Sequence, residues 1–173
     1  NLYDFDPEKD ALPYKELEEL DRLILHRLAK LTERVLNAYK NYEFHIIYHS
    51  VNNFCAVDLS AFYLDIIKDR LYTCAAASKL RRAAQTAIHI VLDHLIRLLA
   101  PILVFTTDEA WTFMPGKRPE SAHLSQFPQP NKDWLDEGLE KKWEKLLEVK
   151  GEISKALEGA RQTARIIGHP LDA

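Results

Sequence analysis

Aromatic, amide, imidazole and basic side chains are concentrated in one stretch of this 173-residue chain, between Tyr42 and Thr73. Their spacing follows two consecutive segments of helical period. A helix pair built only to bury a core needs few hydrogen-bonding and stacking groups, so this stretch predicts recognition of a polar ligand. Exposed rings of this kind can stack on unpaired bases, and cations in fixed places can hold phosphates.

A basic, amide-rich flank follows the first predicted helix. Its members are spaced three or four residues apart and are Arg27, Lys30, Arg34, Asn37 and Asn41. Such a flank is typical either of a phosphate track or of a solvated helix face, and the solvated face is the commoner case. Further along, Arg81-Arg82 can hold phosphates or can pair with Asp65 or Asp69, and the sequence favours neither.

Two histidines one helical turn apart, His45 and His49, have the spacing of a zinc-binding pair. No further ligands accompany them, because Cys55 and Cys74 are single cysteines outside any metal motif. The pair therefore predicts two partly exposed histidines on a helix. The segment Lys68-Asp69-Arg70 contains its own counter-charge and is expected to be structural.

Nucleophilic catalysis finds no support in the sequence. No serine lies in a strand-turn-helix elbow, and no glycine loop resembles a phosphate cradle. Neither cysteine has the nearby cluster of positive charge that depresses a thiol pKa. We expect these residues alone to catalyse nothing and to hold neither a metal nor a cofactor.

The elements that must position these groups are amphipathic segments with few glycines, which predict an all-α helical bundle. The predicted helices cover residues 15–42, 43–56, 60–73, 78–99, a short segment that stops before Pro115, and 136–167. N-caps are expected at Asp58 or Ser60 for the third helix and at Ser78 for the fourth. Thr106-x-x-Glu109 predicts a capping box for the short helix, and Gly168 predicts the C-cap of the last.

Apolar residues at helical spacing predict which side chains are buried. They include Phe44, Tyr48, Cys55, Ile66, Cys74, Leu80, Trp111, Trp134 and Trp143. We divide the chain into a helical bundle over 1–114, a proline-rich loop over 115–135 and a long C-terminal helix over 136–173. A short extended piece is expected in the loop at 122–124.

Composition narrows the class of protein. The balance of 23 basic against 26 acidic residues, a net charge of −3, excludes a wholly basic nucleic-acid binder, so any RNA contact must use local patches. Two cysteines form no disulfide framework, which favours a reducing cytosol. No signal peptide or membrane-spanning apolar run is present, and the start at Asn1 predicts an excised piece of a longer protein.

Several blocks of this sequence resemble the anticodon-binding domain of the bacterial isoleucyl-tRNA synthetases, which are class I enzymes. The blocks are Tyr42–Thr73, Arg81–Thr86, Arg97–Thr106, Asp108–Trp111 and His123–Pro128. The run Asn-Phe-Cys-x-Val-Asp-Leu-Ser-x-Phe-Tyr-Leu-Asp distinguishes the isoleucyl enzymes from the related valyl, leucyl and methionyl enzymes. The likeness extends from Asn1 to Phe127 and continues more weakly to Gly168.

The resemblance implies a parent enzyme that attaches isoleucine to its tRNA using ATP, with separate catalytic and editing domains and a C-terminal zinc module. None of the catalytic motifs of that family, His-Ile-Gly-His or Lys-Met-Ser-Lys-Ser, occurs in this sequence. The part present resembles the helical domain that recognises the anticodon stem-loop. The expected partners are therefore isoleucine tRNA and the catalytic domain of the same polypeptide, in a cytoplasmic, monomeric enzyme without membrane contact.

The residues expected to contact RNA combine the basic flank with nearby amide and imidazole groups. They are Arg27, Lys30, Arg34, Asn37, Asn41, His45, Asn52, Arg81 and Arg82. Two alternatives stay open. One is the anticodon domain of a valyl or leucyl enzyme, and the other is a helical protein-interaction module, suggested by the acidic total and the heptad-like last helix.

Overall fold

The computed structural model describes residues 1–161, which belong to two compact units. The first unit is Asn1–Leu135, and the second begins at Asp136. Residues 1–161 contain helices and loops but no strand, which confirms the all-α prediction. None of the helices in that range is both long and apolar enough to cross a lipid bilayer.

The first unit contains six α-helices, one π-helical segment and three short 3₁₀ turns within its described range. The α-helices are α1 (Glu19–Lys40), α2 (Phe44–Asn53), α3 (Leu64–Ile66), α4 (Lys68–Tyr72), α5 (Lys79–Leu99) and α6 (Val104–Thr112). The π-helical segment is Phe54–Tyr63, and the 3₁₀ turns are Tyr14–Glu16, Ala122–Leu124 and Lys132–Trp134.

Helix α1 lies at the centre of the bundle. Leucine, isoleucine and alanine recur along it every three or four residues and form its buried face. Leu25, Leu28 and Val35 are completely buried. The chain reverses at Asn41, and α2 with the π-helical segment runs back along α1. Helix α5 then runs in the same direction as α1, since Lys79 pairs with Glu16 at one end and the Tyr39 hydroxyl donates to the Leu98 carbonyl at the other.

A buried charge network fixes the returning arm, which comprises α2, the π-helical segment, α3 and α4, on α1. Asp21, which is 0% exposed, accepts two hydrogen bonds from the Arg70 guanidinium at 2.6 and 2.9 Å and one from the Tyr63 hydroxyl at 2.8 Å. Burial, together with the Asp21 charge, raises the pKa of Tyr63 well above its ordinary value. Arg70 is structural, as predicted, but its partner is Asp21 rather than its sequence neighbour Asp69.

The segment before α1 is held on α5 by Arg82. One Arg82 nitrogen donates to the Asp4 carbonyl and to the Gln85 side chain, and the other lies 3.4 Å from Asp10. The alternative that paired this arginine with Asp65 or Asp69 is wrong, because the first ten residues carry the acids that reach it.

A small apolar cluster joins α5 to α6 and contains Ile96, Met114 and the buried Trp111. The Trp111 ring nitrogen donates to the Pro119 carbonyl at 2.9 Å, so the ring is both buried and satisfied. The Arg118 side chain donates to carbonyls of the last turn of α6, at Trp111 and Thr112. The core assignment of Trp111 is confirmed, whereas Trp134 and Trp143 are only half-buried.

Ser78 occupies the N-cap position of α5, as expected, although its side chain makes no capping hydrogen bond. The helix predicted over 78–99 is α5, and the first helix begins at Glu19 rather than at residue 15. The expected break at Asp58 or Ser60 is wrong, because both residues lie inside the π-helical segment and Asp58 pairs with Arg27 of α1. The capping box predicted at Thr106 is wrong, since Thr106 lies inside α6, which begins at Val104.

Four predicted core residues are exposed. Phe44 and Tyr48 in α2 are 51% and 66% exposed, and Ile66 and Leu80 are also on the surface. Helical spacing located the buried face of α2 on Ile47 and Val51, but the aromatic residues lie to either side of it. Both cysteines are half-buried, and burial raises the pKa of the Cys55 thiol, which makes it a poor nucleophile.

The proline-rich loop contains a 3₁₀ turn, Ala122–Leu124, where an extended piece was expected. Ser121 and Asp108 hold it: the Ser121 side chain donates to Asp108 at 2.6 Å, and the Ala122 amide donates to the same carboxylate. These bonds lower the pKa of Asp108. They hold this part of the loop against α6 as a turn, so the predicted extended conformation is wrong.

The second unit contains α7, Glu137–Gly159. Asp136 caps it, since its side chain accepts a hydrogen bond from the Leu139 amide at 2.9 Å. The predicted helical positions Ala164 and Ile167 and the predicted C-cap Gly168 lie outside the described residues. The predicted division of the chain into 1–114, 115–135 and 136–173 stays a prediction.

We expect alkali to destabilise the bundle through Tyr39. Burial raises the pKa of Tyr39 to about 12, from about 10 in the unfolded chain. Because the folded pKa is the higher one, this contribution is fully present below pH 10 and is lost as the pH rises through 12. Urea unfolding should show stability falling over this range, and Tyr39→Phe should make the decline shallower. Tyr3→Phe, at an exposed ring, is the control, and an unchanged slope in Tyr39→Phe would contradict the assignment.

Candidate nucleic-acid interface

A surface hollow lies beside the turn that joins α1 to α2. Spacing of three, four and seven residues places Lys30, Glu33, Arg34 and Asn37 on the same side of α1. The start of α2 completes the hollow, whose lining residues are Lys30, Glu33, Arg34, Asn37, Ala38, Glu43 and Ile46. Three residues predicted to contact RNA are therefore brought together here.

Charges of both signs meet in the hollow. The guanidinium of Arg34 makes no hydrogen bond or ion pair with any of residues 1–161, so it is available to an external anion. Glu33 and Glu43 stand on the same rim, and Asn41 donates to Glu43 at 3.4 Å. Cations of this kind hold phosphates, whereas carboxylate and amide groups accept and donate hydrogen bonds at base edges.

The exposed face of α2 adds stacking groups. His45, Tyr48, His49 and Asn52 follow the spacing i, i+3, i+4 and i+7, and all four are exposed. The Tyr48 and His49 rings meet edge to face with centroids 5.2 Å apart. No acidic residue lies in α2, so this face is polar and aromatic without negative charge.

We call the combined set the α1–α2 surface. It consists of Lys30, Glu33, Arg34, Asn37, Asn41, Glu43, His45, Tyr48, His49 and Asn52. Six of the nine residues predicted to contact RNA belong to it. Its chemistry is suited to a ligand that offers phosphates and unpaired bases together.

The other three predicted residues lie elsewhere. Arg27 pairs with Asp58 at 2.5 Å and lies over the Phe62 ring at 5.8 Å, so its guanidinium packs inside the bundle. Arg82 is bound to the segment that precedes α1. Arg81, beside it on α5, is half-buried and makes no hydrogen bond or ion pair with residues 1–161.

The sequence interpretation missed Glu33, Glu43, Tyr48 and His49 as members of this surface. The two glutamates carry negative charge, so a pattern of cations and amides does not include them. Tyr48 was assigned to the core, although its spacing from His45 and Asn52 matched the exposed face. That three-four spacing of polar and aromatic residues was the available signal.

The described residues form an all-α bundle with a surface of mixed cationic, amide and aromatic groups. The model of a known family, described as the anticodon-binding domain of tRNA ligase, matches residues 21–168. The chain therefore belongs to the family of tRNA-ligase anticodon-binding domains. This confirms the family expected from the sequence blocks.

Similar curated proteins are isoleucine–tRNA ligases. The chain is 55% identical over 175 aligned residues to that of Desulfitobacterium hafniense, 53% to that of Moorella thermoacetica and 51%, over 173 residues, to that of Geobacter sulfurreducens. The alignments include 100% of this chain but only 18–19% of each relative. The chain thus spans about a fifth of the length of the curated relatives it matches.

Proposed function

We propose that this chain binds the anticodon stem-loop of isoleucine tRNA as one domain of an isoleucine–tRNA ligase. The observation that supports this most directly is the α1–α2 surface, which occurs in a chain of the anticodon-binding family. Lys30 and Arg34 hold backbone phosphates. Asn37, Asn41, Asn52 and the two glutamates meet base edges, and the rings of His45, Tyr48 and His49 stack on loop bases.

Arg81 is a secondary phosphate contact in this proposal, because its side chain has no acidic partner within residues 1–161. Arg27 and Arg82 act indirectly. Arg27 ties the π-helical segment to α1, and Arg82 ties the first residues to α5, so both keep the bundle in the shape that presents the surface.

The rest of the proposed enzyme supplies the chemistry. Attachment of isoleucine using ATP, and the zinc module, belong to parts of the polypeptide outside these 173 residues. The catalytic domain of the same chain is a partner, and the enzyme is a cytoplasmic monomer. This domain itself contributes binding and no bond-making step.

Filter binding of a labelled isoleucine anticodon stem-loop over a salt series tests the proposal. We expect the logarithm of the association constant to fall linearly with the logarithm of salt concentration, because phosphate contacts release counterions. Stem-loops with valine and leucine anticodons are the specificity controls and should bind more weakly. Failure of the chain to retain any stem-loop at low salt would contradict the proposal, and preference for a control would move it to that enzyme.

A protein-interaction module is the second candidate, and one observation favours it. Helix α7 exposes an apolar stripe, formed by Leu146, Val149, Ile153 and Leu157 at helical spacing. Retention of a protein partner together with absence of RNA binding at low salt would favour this candidate.

A further inference from the structure

The backbone of Tyr42 has a conformation that tyrosine rarely adopts. Its φ is +58°, in the left-handed region, where a bulky side chain is strained. Within residues 1–161 the other non-glycine residue with a positive φ is Asp4. The conformation of Tyr42 therefore needs a physical reason.

The turn that ends α1 requires a left-handed residue at this position. The Glu43 amide donates to the Ala38 carbonyl at 2.8 Å, and the Tyr42 amide donates to the Tyr39 carbonyl at 3.2 Å. This pair of bonds is the Schellman motif, in which the residue after the C-cap is left-handed and is usually glycine, sometimes asparagine. Glycine would end α1 with less strain than tyrosine does.

Contacts within the described residues explain the positive φ of Asp4, but none explains a tyrosine side chain at position 42. The Asp4 carbonyl accepts a hydrogen bond from Arg82, and its carboxylate lies 3.8 Å from the same guanidinium. The Tyr42 side chain makes no hydrogen bond, ion pair or ring contact with any of residues 1–161, and Tyr42 is 80% exposed. Tyrosine at this position therefore adds strain without a compensating contact inside the described part of the chain.

Tyr42 also stands beside the candidate interface. It lies between Asn41 and Glu43, both members of the α1–α2 surface, and Glu43 lines the hollow that contains Arg34. Strained residues of this kind concentrate at ligand sites, where the strained conformation presents a group to the ligand. An exposed phenol ring is a stacking platform for any unpaired base.

We propose that Tyr42 stacks on an unpaired base of the bound RNA loop, and that tyrosine rather than glycine occupies this left-handed position because its ring meets that base. This assignment rests on the proposed function. The residue contributes affinity for single-stranded loops and none for the interior of a paired stem, since a base pair there has both faces covered by its neighbours.

Opposite changes in stability and affinity test this assignment. In the 173-residue chain, Tyr42→Gly should raise Tm by about 2–4 °C, because the turn loses its strain. The same variant should bind an RNA hairpin with a single-stranded loop about tenfold more weakly, the loss expected when one base loses its aromatic partner. Affinity for a blunt duplex of the stem alone should be unchanged.

Two further variants separate the ring from the backbone. Tyr42→Phe keeps the ring and should retain both the wild-type Tm and hairpin affinity. Tyr42→Asn removes the ring but tolerates the left-handed backbone, so it should lose affinity as Tyr42→Gly does without adding glycine flexibility.

The outcomes distinguish this assignment from the proposed function. Wild-type binding of the hairpin with unchanged affinity in Tyr42→Gly and Tyr42→Asn would overturn the assignment of Tyr42 alone. An affinity loss without a rise in Tm for Tyr42→Gly would overturn the strain argument. Absence of hairpin binding by the wild-type chain at low salt would overturn both the assignment and the function on which it rests.

Discussion

Asp21→Asn is expected to lower the free energy of unfolding by about 3 kcal/mol, because it leaves the half-buried Arg70 guanidinium without its anion. Asp21 is 0% exposed and accepts three hydrogen bonds, from two residues of the returning arm. Asparagine has nearly the same shape, so the change removes charge with little change in packing. Urea denaturation followed by circular dichroism measures the loss.

The matched control for this prediction is Asp65→Asn. Asp65 pairs with Lys68 at 2.6 Å, but both side chains are 62% exposed, so water screens the pair. We expect little or no loss of stability there. Adding Arg70→Met to Asp21→Asn should recover part of the stability, since it removes the unpaired cation. Equal losses at Asp21 and Asp65 would show that the buried network does not hold the arm.

The second large effect is expected for RNA affinity. Replacing Lys30 and Arg34 together by glutamate should weaken binding of the isoleucine stem-loop by about a hundredfold at low salt. Each reversal removes one attraction and adds one repulsion of roughly 1 kcal/mol at a solvated surface, and salt screens part of the total. The slope of affinity against salt should fall by about two, one for each lost phosphate contact.

Lys9→Glu with Lys117→Glu is the matched control, since it changes the net charge by the same amount at two exposed lysines outside the α1–α2 surface. The control should lose little affinity and keep its salt slope. Arg27→Glu should behave differently from both pairs, because breaking the contact with Asp58 should lower Tm. Equal affinity losses in the two double variants would indicate a nonspecific charge effect and would contradict the assigned surface.

In the proposed function, the acidic rim of the hollow discriminates between nucleic-acid ligands. The negative charge of Glu33 and Glu43 repels a phosphate that enters the hollow without an accompanying base. A base that presents amino groups can donate hydrogen bonds to these carboxylates. On this proposal, the mixture of signs favours an unpaired loop over a uniform duplex.

The local pattern of apolar residues was sufficient to predict the fold class and most helices of the bundle. The periodic leucines of α1 and α5 each define one buried stripe, and a helix is the element that places such residues on one side. The sequence blocks were also sufficient for the family, because they depend on residue identity and not on placement. Helical spacing predicts that Lys30, Arg34 and Asn37 share one side of α1 and that His45 and Asn52 share one side of α2.

Tertiary structure decided which charges remain available. Nothing local distinguishes Arg27 from Arg34, seven residues later on the same helix, but Asp58 of the returning arm reaches only the first. Likewise, Asp4 and Asp10 bind Arg82 across more than seventy residues of sequence. The left-handed backbone of Tyr42 follows from the turn that ends α1. Tyrosine rarely adopts this conformation, so the residue type does not predict it. Sequence determines which groups a helix presents, whereas the packing of distant segments determines which of those groups are left to meet a ligand.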